Sequence, residues 1–193
     1  MDKFRRAFLQ NELKTRAEES GARYIEGYFI VFNQRTELWS NEFEEIAPES
    51  VTESLAKNDI RCLYNHNSDI VLGRTGSKTL TLRADAHGVW GSMPVNEDDQ
   101  QACDAYARIK RGDISGCSFG FNPTKWEYSD LDGGGMLCRI TGMDLREVSV
   151  CTFPQYEQTD IQARHKDFAA AATASREKQK NNIKERLEKL KKC

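Results

Sequence analysis

The chain has 193 residues, 38% hydrophobic and 30% charged, with a formal net charge of −2. That length allows one domain with a real core plus an appendage. No stretch approaches the roughly 20 apolar residues of a membrane span, which excludes an integral membrane helix protein. Residues 1–10 carry basic side chains with no apolar run behind them, so a cleaved secretory signal is not expected. Six cysteines, at 62, 103, 117, 138, 151 and 193, show no C-x-x-C pairing. They read as reduced thiols in a cytosol-like compartment, not as a disulfide framework or a cysteine-rich zinc site. Charge is unevenly placed. Residues 163–193 hold 10 Lys and Arg against 4 Asp and Glu, whereas the remainder holds 18 against 26. An acidic body is a poor nucleic-acid binder, because neutralising phosphates needs a positive surface. The basic tail could meet any acidic partner.

In chain order, Asn11 to Glu18 and Ala22 to Asn33 read as strands, joined by a Glu19-Ser20-Gly21 turn in which glycine takes positive φ. Gln34 to Asn41 is polar and reads as a loop, followed by a short strand from Phe43 to Ile46. Pro48 opens a helix, with Val51 and Leu55 one turn apart. Ile60 to His66 alternates as a strand, with Ile60, Cys62, Tyr64 and His66 on one face. Ile70 to Arg74, Thr79 to Ala84 and Gly88 to Pro94 read as further strands, and the turn at Asp85 to Gly88 separates the last two. Asp98 and Asp99 place negative charge at the start of a helix spanning Gln100 to Arg111. Ala102, Tyr106 and Ile109 share one face of it, and Gly112 ends it. Ser115 to Phe121 and Asp144 to Phe153 are two more strands, with a glycine-rich loop at Asp130 to Gly135. Many short strands with frequent turns and two helices predict a mainly β chain with flanking helices (α+β), built on a closed or partly closed β-barrel. After Pro154 the composition changes. An alanine-rich run and a charged segment with Ile183, Leu187 and Leu190 on one stripe mark residues 163–193 as a helical or disordered tail beyond a domain of residues 1–162.

Three places carry chemistry. His66 ends a predicted strand between Asn65 and Asn67, where an imidazole can serve as a general base; taken alone it also fits a structural role. His165 lies in the tail and His87 in a turn, where it reads as a solvated residue. Ser118 stands in Gly112-Asp-Ile-Ser-Gly-Cys-Ser-Phe-Gly-Phe121. Alternation sends Cys117, Phe119 and Phe121 to one face, and Ser118 with Gly120 to the other. A serine hydroxyl needs a base within about 3 Å to attack, and His66 is the candidate in the body. Glu147 lies in the strand from Asp144, on the same expected face as Leu145, Ser149 and Cys151. It could accept the second N–H of the imidazole and hold its tautomer, or be an ordinary ion-paired carboxylate. Ser149 is a further hydroxyl with nothing small beside it. Two other readings stand against a serine peptidase: a cysteine peptidase using Cys117 or Cys151 with His66, and a non-catalytic scaffold-like assembly protein. Metal chemistry is disfavoured, since Cys62 and His66 would lie about 13 Å apart along a strand. No cofactor is expected.

These segments, in this order, resemble the tailed-phage prohead maturation serine protease family: Tyr28-Phe-Ile-Val-Phe-Asn33, Phe43-Glu-Glu-Ile-Ala-Pro48, Leu63-Tyr-Asn-His-Asn67, Leu72-Gly-Arg74, Gly112-Asp-Ile-Ser115, Ser118-Phe-Gly-Phe121 and Glu147-Val-Ser-Val-Cys-Thr-Phe-Pro154. The resemblance covers roughly residues 11–160 and rests on the order of the motifs, each weak by itself. It implies a fold related to herpesvirus assemblin. It implies an endopeptidase that cleaves the scaffolding region of the major capsid protein inside the prohead, in the host cytoplasm, and also cleaves itself. It implies no membrane and leaves self-association open. On the matching positions, His66 resembles the general base, Ser118 the nucleophile and Glu147 the third member, where the herpesvirus enzymes carry a second histidine. Cys117 departs from the hydrophobic residue that the family shows before its nucleophile. The tail, on this reading, binds scaffold or capsid protein and is removed by self-cleavage.

Overall fold

The computed structural model describes residues 13–153 in full, the backbone of residues 5–9, and helical positions 170–174, 177–178 and 180–181. The tail residues 182–193, His165 and the first two residues of the strand expected from Asn11 lie outside the described set. Eleven strands are described: β1 (Arg5–Leu9), β2 (Leu13–Ala17), β3 (Arg23–Val31), β4 (Thr36–Trp39), β5 (Glu42–Ile46), β6 (Arg61–Tyr64), β7 (Asn67–Arg74), β8 (Thr81–Ala84), β9 (Gly88–Pro94), β10 (Gly116–Asp130) and β11 (Met136–Cys151). The helices are α1 (Thr52–Lys57), entered through a 3-10 turn at Pro48–Val51, and α2 (Gln100–Arg111).

A seven-stranded sheet runs β1-β10-β11-β5-β4, with β6 also paired to β11 and β7 beyond it; a four-stranded sheet runs β2-β3-β9-β8. The chain is therefore mainly β with helices. The sequence points to a closed or partly closed barrel; neither sheet closes on itself among the described residues, so the closed form is not found. The reason lies in β11. Its two halves use different partners on one edge: Met136 to Ile140 pair in parallel with β5, and Glu147 to Val150 pair in parallel with β6. The stretch between them is held by the α1 segment. Ser54 Oγ donates to the Met143 carbonyl and accepts the Leu145 N–H, and Asn58 Nδ2 donates to the Leu145 carbonyl. These bonds satisfy backbone groups that a ladder would otherwise serve. The sheet thus forks instead of curling into a ring.

Several expectations shift at the boundaries. The polar segment read as a loop at residues 34–41 contains β4, paired antiparallel to β5. The two strands expected at Ser115 to Phe121 and Asp144 to Phe153 are the inner ends of a long β10–β11 hairpin that runs through Pro123 and on to the Asp130–Gly135 turn. The outer half of β10 is exposed and charged, whereas the facing part of β11 buries Met136, Cys138 and Ile140; Pro123 sits where the register slips, a place where a missing N–H costs no ladder bond. The core lies between the sheets, centred on Phe29, Ile30, Val89, Phe119, Phe121, Val148 and Val150. Phe119 and Phe121 stack at 5.3 Å between ring centroids; burying each contributes about 1.5–3 kcal/mol. The sheets also meet where Cys117 Sγ donates to the Tyr28 carbonyl at 3.0 Å. α2 is capped by Asp99, which accepts the Gln101 N–H, and ends at Gly112 with φ +88°. Its Ala102, Ala105, Tyr106 and Ile109 face the core. In the tail, Ala171 and Ala172 pack half-buried against the core.

Candidate active site

His66 is not on a strand. Tyr64 pairs with Asn67, so Asn65 and His66 form the two-residue loop of the β6–β7 hairpin. Both have positive φ, 52° and 59°, as a type I′ connection requires. Asn tolerates this conformation readily; for His it costs on the order of 1 kcal/mol, a strain that the surroundings must hold. They do so through Asn65. Its N–H donates to the Val150 carbonyl at 2.8 Å, and its Oδ1 accepts the Thr152 N–H at 2.9 Å. The loop is thereby tied to the end of β11. The His66 side chain, 3% exposed, turns inward although it belongs to a hairpin tip.

There it meets Glu147. His66 Nδ1 lies 2.6 Å from Glu147 Oε1. Ser149 Oγ donates to the other oxygen, Oε2, at 2.5 Å. A carboxylate accepts, so Nδ1 is the donor of this contact, and the tautomer it selects has its lone pair at Nε2. That Nε2 atom is buried and has no hydrogen-bond partner among the described residues. A buried acceptor without a partner costs free energy, and such atoms mark places where a substrate or a reacting group belongs.

β10 and β11 set the rest. Ser118 lies directly across from Ser149, and Gly120 across from Glu147. Opposite residues of an antiparallel pair share a face, so Ser118, Gly120, Glu147 and Ser149 occupy one face. The expected face of β11 was only partly right. A register shift between Gly120 and Phe121 places Leu145 across from Phe121, so Leu145 turns into the core, and Glu147 and Ser149 face away from it. Gly120 carries no side chain beside Glu147. Ser118 itself is 2% exposed, and β1 runs along the β10 edge next to it, with Phe8 in register with Ser118. Of the three residues singled out in the sequence, His66 and Glu147 are in contact, and Ser118 lies one strand over on the same face. Beside Glu147, a cleft of about 470 Å³ opens between Lys57, Arg61, Leu63 and Arg146.

Cys117 points elsewhere. It is fully buried and in register with Val150, on the opposite face of β10 from Ser118. Burial, and then the nearby Glu147 charge, push the Cys62 thiol well above its ordinary 9.0, which keeps it protonated and unreactive. His87 stacks edge-on against Tyr28 at 4.5 Å, away from the site. Among the described residues no group of three or more His, Cys, Asp or Glu is placed to hold a metal ion.

The family model of the caudovirus prohead serine protease matches residues 11–174. The chain belongs to the caudovirus prohead serine protease family. The prohead protease of Enterobacteria phage HK97 is 30% identical over 142 residues, which are 72% of this chain and 59% of that protein. The chain thus spans less than two thirds of the length of that prohead protease. A solved structure of the bacteriophage T4 capsid assembly protease, gp21, aligns over 77% of this chain and 96% of its own, with a TM-score of 0.48 and 15% identity.

The sequence reading missed two features of this family member's site. One is the I′ loop that carries His66; the signal was present as two residues, one of them Asn, between two strand-like runs. The other is Ser149, which was weighed only as a nucleophile and in fact contacts the carboxylate.

Proposed function

We propose that the protein is a serine endopeptidase of phage capsid maturation. Ser118 is the nucleophile, His66 the general base and Glu147 the group that orients the imidazole and stabilises its protonated form. The observation that carries this reading is the buried Nδ1–Oε1 contact of 2.6 Å with the lone pair at Nε2 left unpartnered. In the reaction, Nε2 of His66 takes the Ser118 hydroxyl proton as Oγ attacks the scissile carbonyl, and returns it to the leaving amine; water then releases the acyl group by the same relay. Glu147 stabilises the imidazolium that forms at each proton transfer.

The substrate on this reading is the scaffolding region of the major capsid protein, met inside the prohead in the host cytoplasm, together with the chain itself. Residues 1–162 act as the protease domain, and residues 163–193 as a basic tail that engages scaffold or capsid protein and is cut away. The finer relationship to the assemblin barrel belongs to the same proposal. A fluorophosphonate probe followed by peptide mapping tests the chemistry: label is expected on Ser118, lost in Ser118→Ala and retained in Cys117→Ala. Label on a cysteine-directed reagent with loss in Cys117→Ala would establish cysteine chemistry instead. Co-expression with the capsid protein tests the substrate; an uncut capsid protein beside an intact chain would favour the scaffold-like reading. Mass spectrometry of the active protein reads whether the tail is removed.

A further inference from the structure

We propose that Ser149 is a positioning residue, which holds the Glu147 carboxylate in the plane that serves His66. The inference rests on the serine-peptidase reading and extends it to a fourth side chain. Glu147 has two carboxylate oxygens, and both are occupied. His66 Nδ1 takes Oε1, and the Ser149 hydroxyl takes Oε2 at 2.5 Å. That is the short separation of a charge-assisted O–H···O⁻ bond. Ser149 is fully buried and Glu147 nearly so, so water does not compete for the bond.

The need for such a residue follows from glutamate chemistry. The terminal torsion of glutamate is broad and soft, so one hydrogen bond to His66 would leave the carboxylate plane free to swing. Gly120, opposite Glu147, offers no side chain to lean on. Ser149 supplies the restraint from a rigid base, because its backbone is flanked by Ser118 of β10 on one side and Leu63 of β6 on the other. Its hydroxyl proton is committed to Oε2, which also argues against Ser149 as the attacking group: the proton that a nucleophile must surrender to His66 Nε2 is pointed at Glu147.

The test is the second-order rate of fluorophosphonate labelling on the full chain, compared for wild type, Ser149→Ala, Glu147→Gln and the double variant. Ser149→Ala is expected to slow labelling of Ser118 by about 10- to 100-fold, the worth of one hydrogen bond to a charged group, and to lower the thermal midpoint by several degrees while the protein stays folded at the assay temperature. In the Glu147→Gln background the same substitution is expected to change the rate less than about twofold, because its effect runs through the carboxylate. The downfield proton resonance of His66 Nδ1–H should move in Ser149→Ala. Should Ser149→Ala fail to fold, Ser149→Cys keeps the size and a weak donor, and an intermediate loss is expected. Equal losses in both backgrounds, or no loss where Ser118→Ala is dead, would overturn the positioning role while leaving the peptidase reading intact. Label found on Ser149 in the wild type, or undiminished labelling in Ser118→Ala, would overturn the assignment of Ser118 itself.

Discussion

Replacing Glu147 by Gln removes one charge and almost no volume, so its effect isolates electrostatics. In the native arrangement the carboxylate sits 2.6 Å from Nδ1 and 2.5 Å from the Ser149 hydroxyl, in a place closed to water. When His66 takes the serine proton, a positive imidazolium forms beside it. With the charge centres roughly 4 Å apart and an effective dielectric of about 20, the pair is worth about 4 kcal/mol. That corresponds to about three decades in rate. The tautomer is affected as well, and the total is bounded by what a triad shows when its carboxylate becomes an amide. The amide can present its NH2 to Nδ1, which stabilises the tautomer whose Nε2 carries the proton and cannot act as a base; in a related triad geometry such a change costs about 10⁴-fold. The expected outcome for Glu147→Gln is therefore a fall of about 10³ to 10⁴ in the fluorophosphonate labelling rate of Ser118. The thermal midpoint should stay near that of wild type, since shape and packing are kept. Labelling within tenfold of wild type, in a folded protein, would refute the role assigned to the carboxylate.

Three further outcomes follow from the same geometry. Deleting residues 1–10 removes β1 from the β10 edge beside Ser118, an edge that an extended substrate could add to as a strand. Peptide cleavage should become faster by several-fold, and a slower reaction in a protein of unchanged circular dichroism would refute this. Gly88→Ala would place a methyl group 1.9 Å from the Ile30 carbonyl oxygen; the β3–β9 ladder must shift, at a cost of about 3 kcal/mol or more read by urea unfolding, and a loss below 1 kcal/mol would show that the ladder yields freely. Cys62 is an acid whose folded pKa is raised by burial. The folded state holds its proton longer than the unfolded state, so stability is present below the ordinary pKa of 9.0 and is lost as pH rises above it. Cys62→Ala should flatten that alkaline decline, and native Cys62 should resist thiol reagents at pH 8; rapid modification there would contradict its burial.

Much of the framework could be read directly from residue patterns. α2 is written in its Asp cap, its 3.6-residue stripe and its closing glycine, all local signals, and it spans Gln100–Arg111 as expected. β9 likewise carries its bounds in a turn and a proline. The outer half of β10 could not be read this way. Its exposed, charged residues and Pro123 look like a loop, and they are extended because β11 supplies their hydrogen bonds.

The site divides along the same line. The chemical types of His66, Ser118 and Glu147, and the opposite facing of Cys117 and Ser118, follow from local residue order and the two-residue period of a strand. Which carboxylate reaches which imidazole does not. That depends on a forked β11 whose far half pairs with β6, on a two-residue turn that swings His66 inward, and on a bulge that separates Leu145 from Glu147. The fork and the bulge join residues far apart in the chain, so no short window contains them; the turn is a local signal, but its bonds to Val150 and Thr152 that hold His66 inward are not. Ser149 shows the limit most plainly: its neighbour two residues away was visible all along, but only the packed sheet removes the water that would otherwise take its hydroxyl.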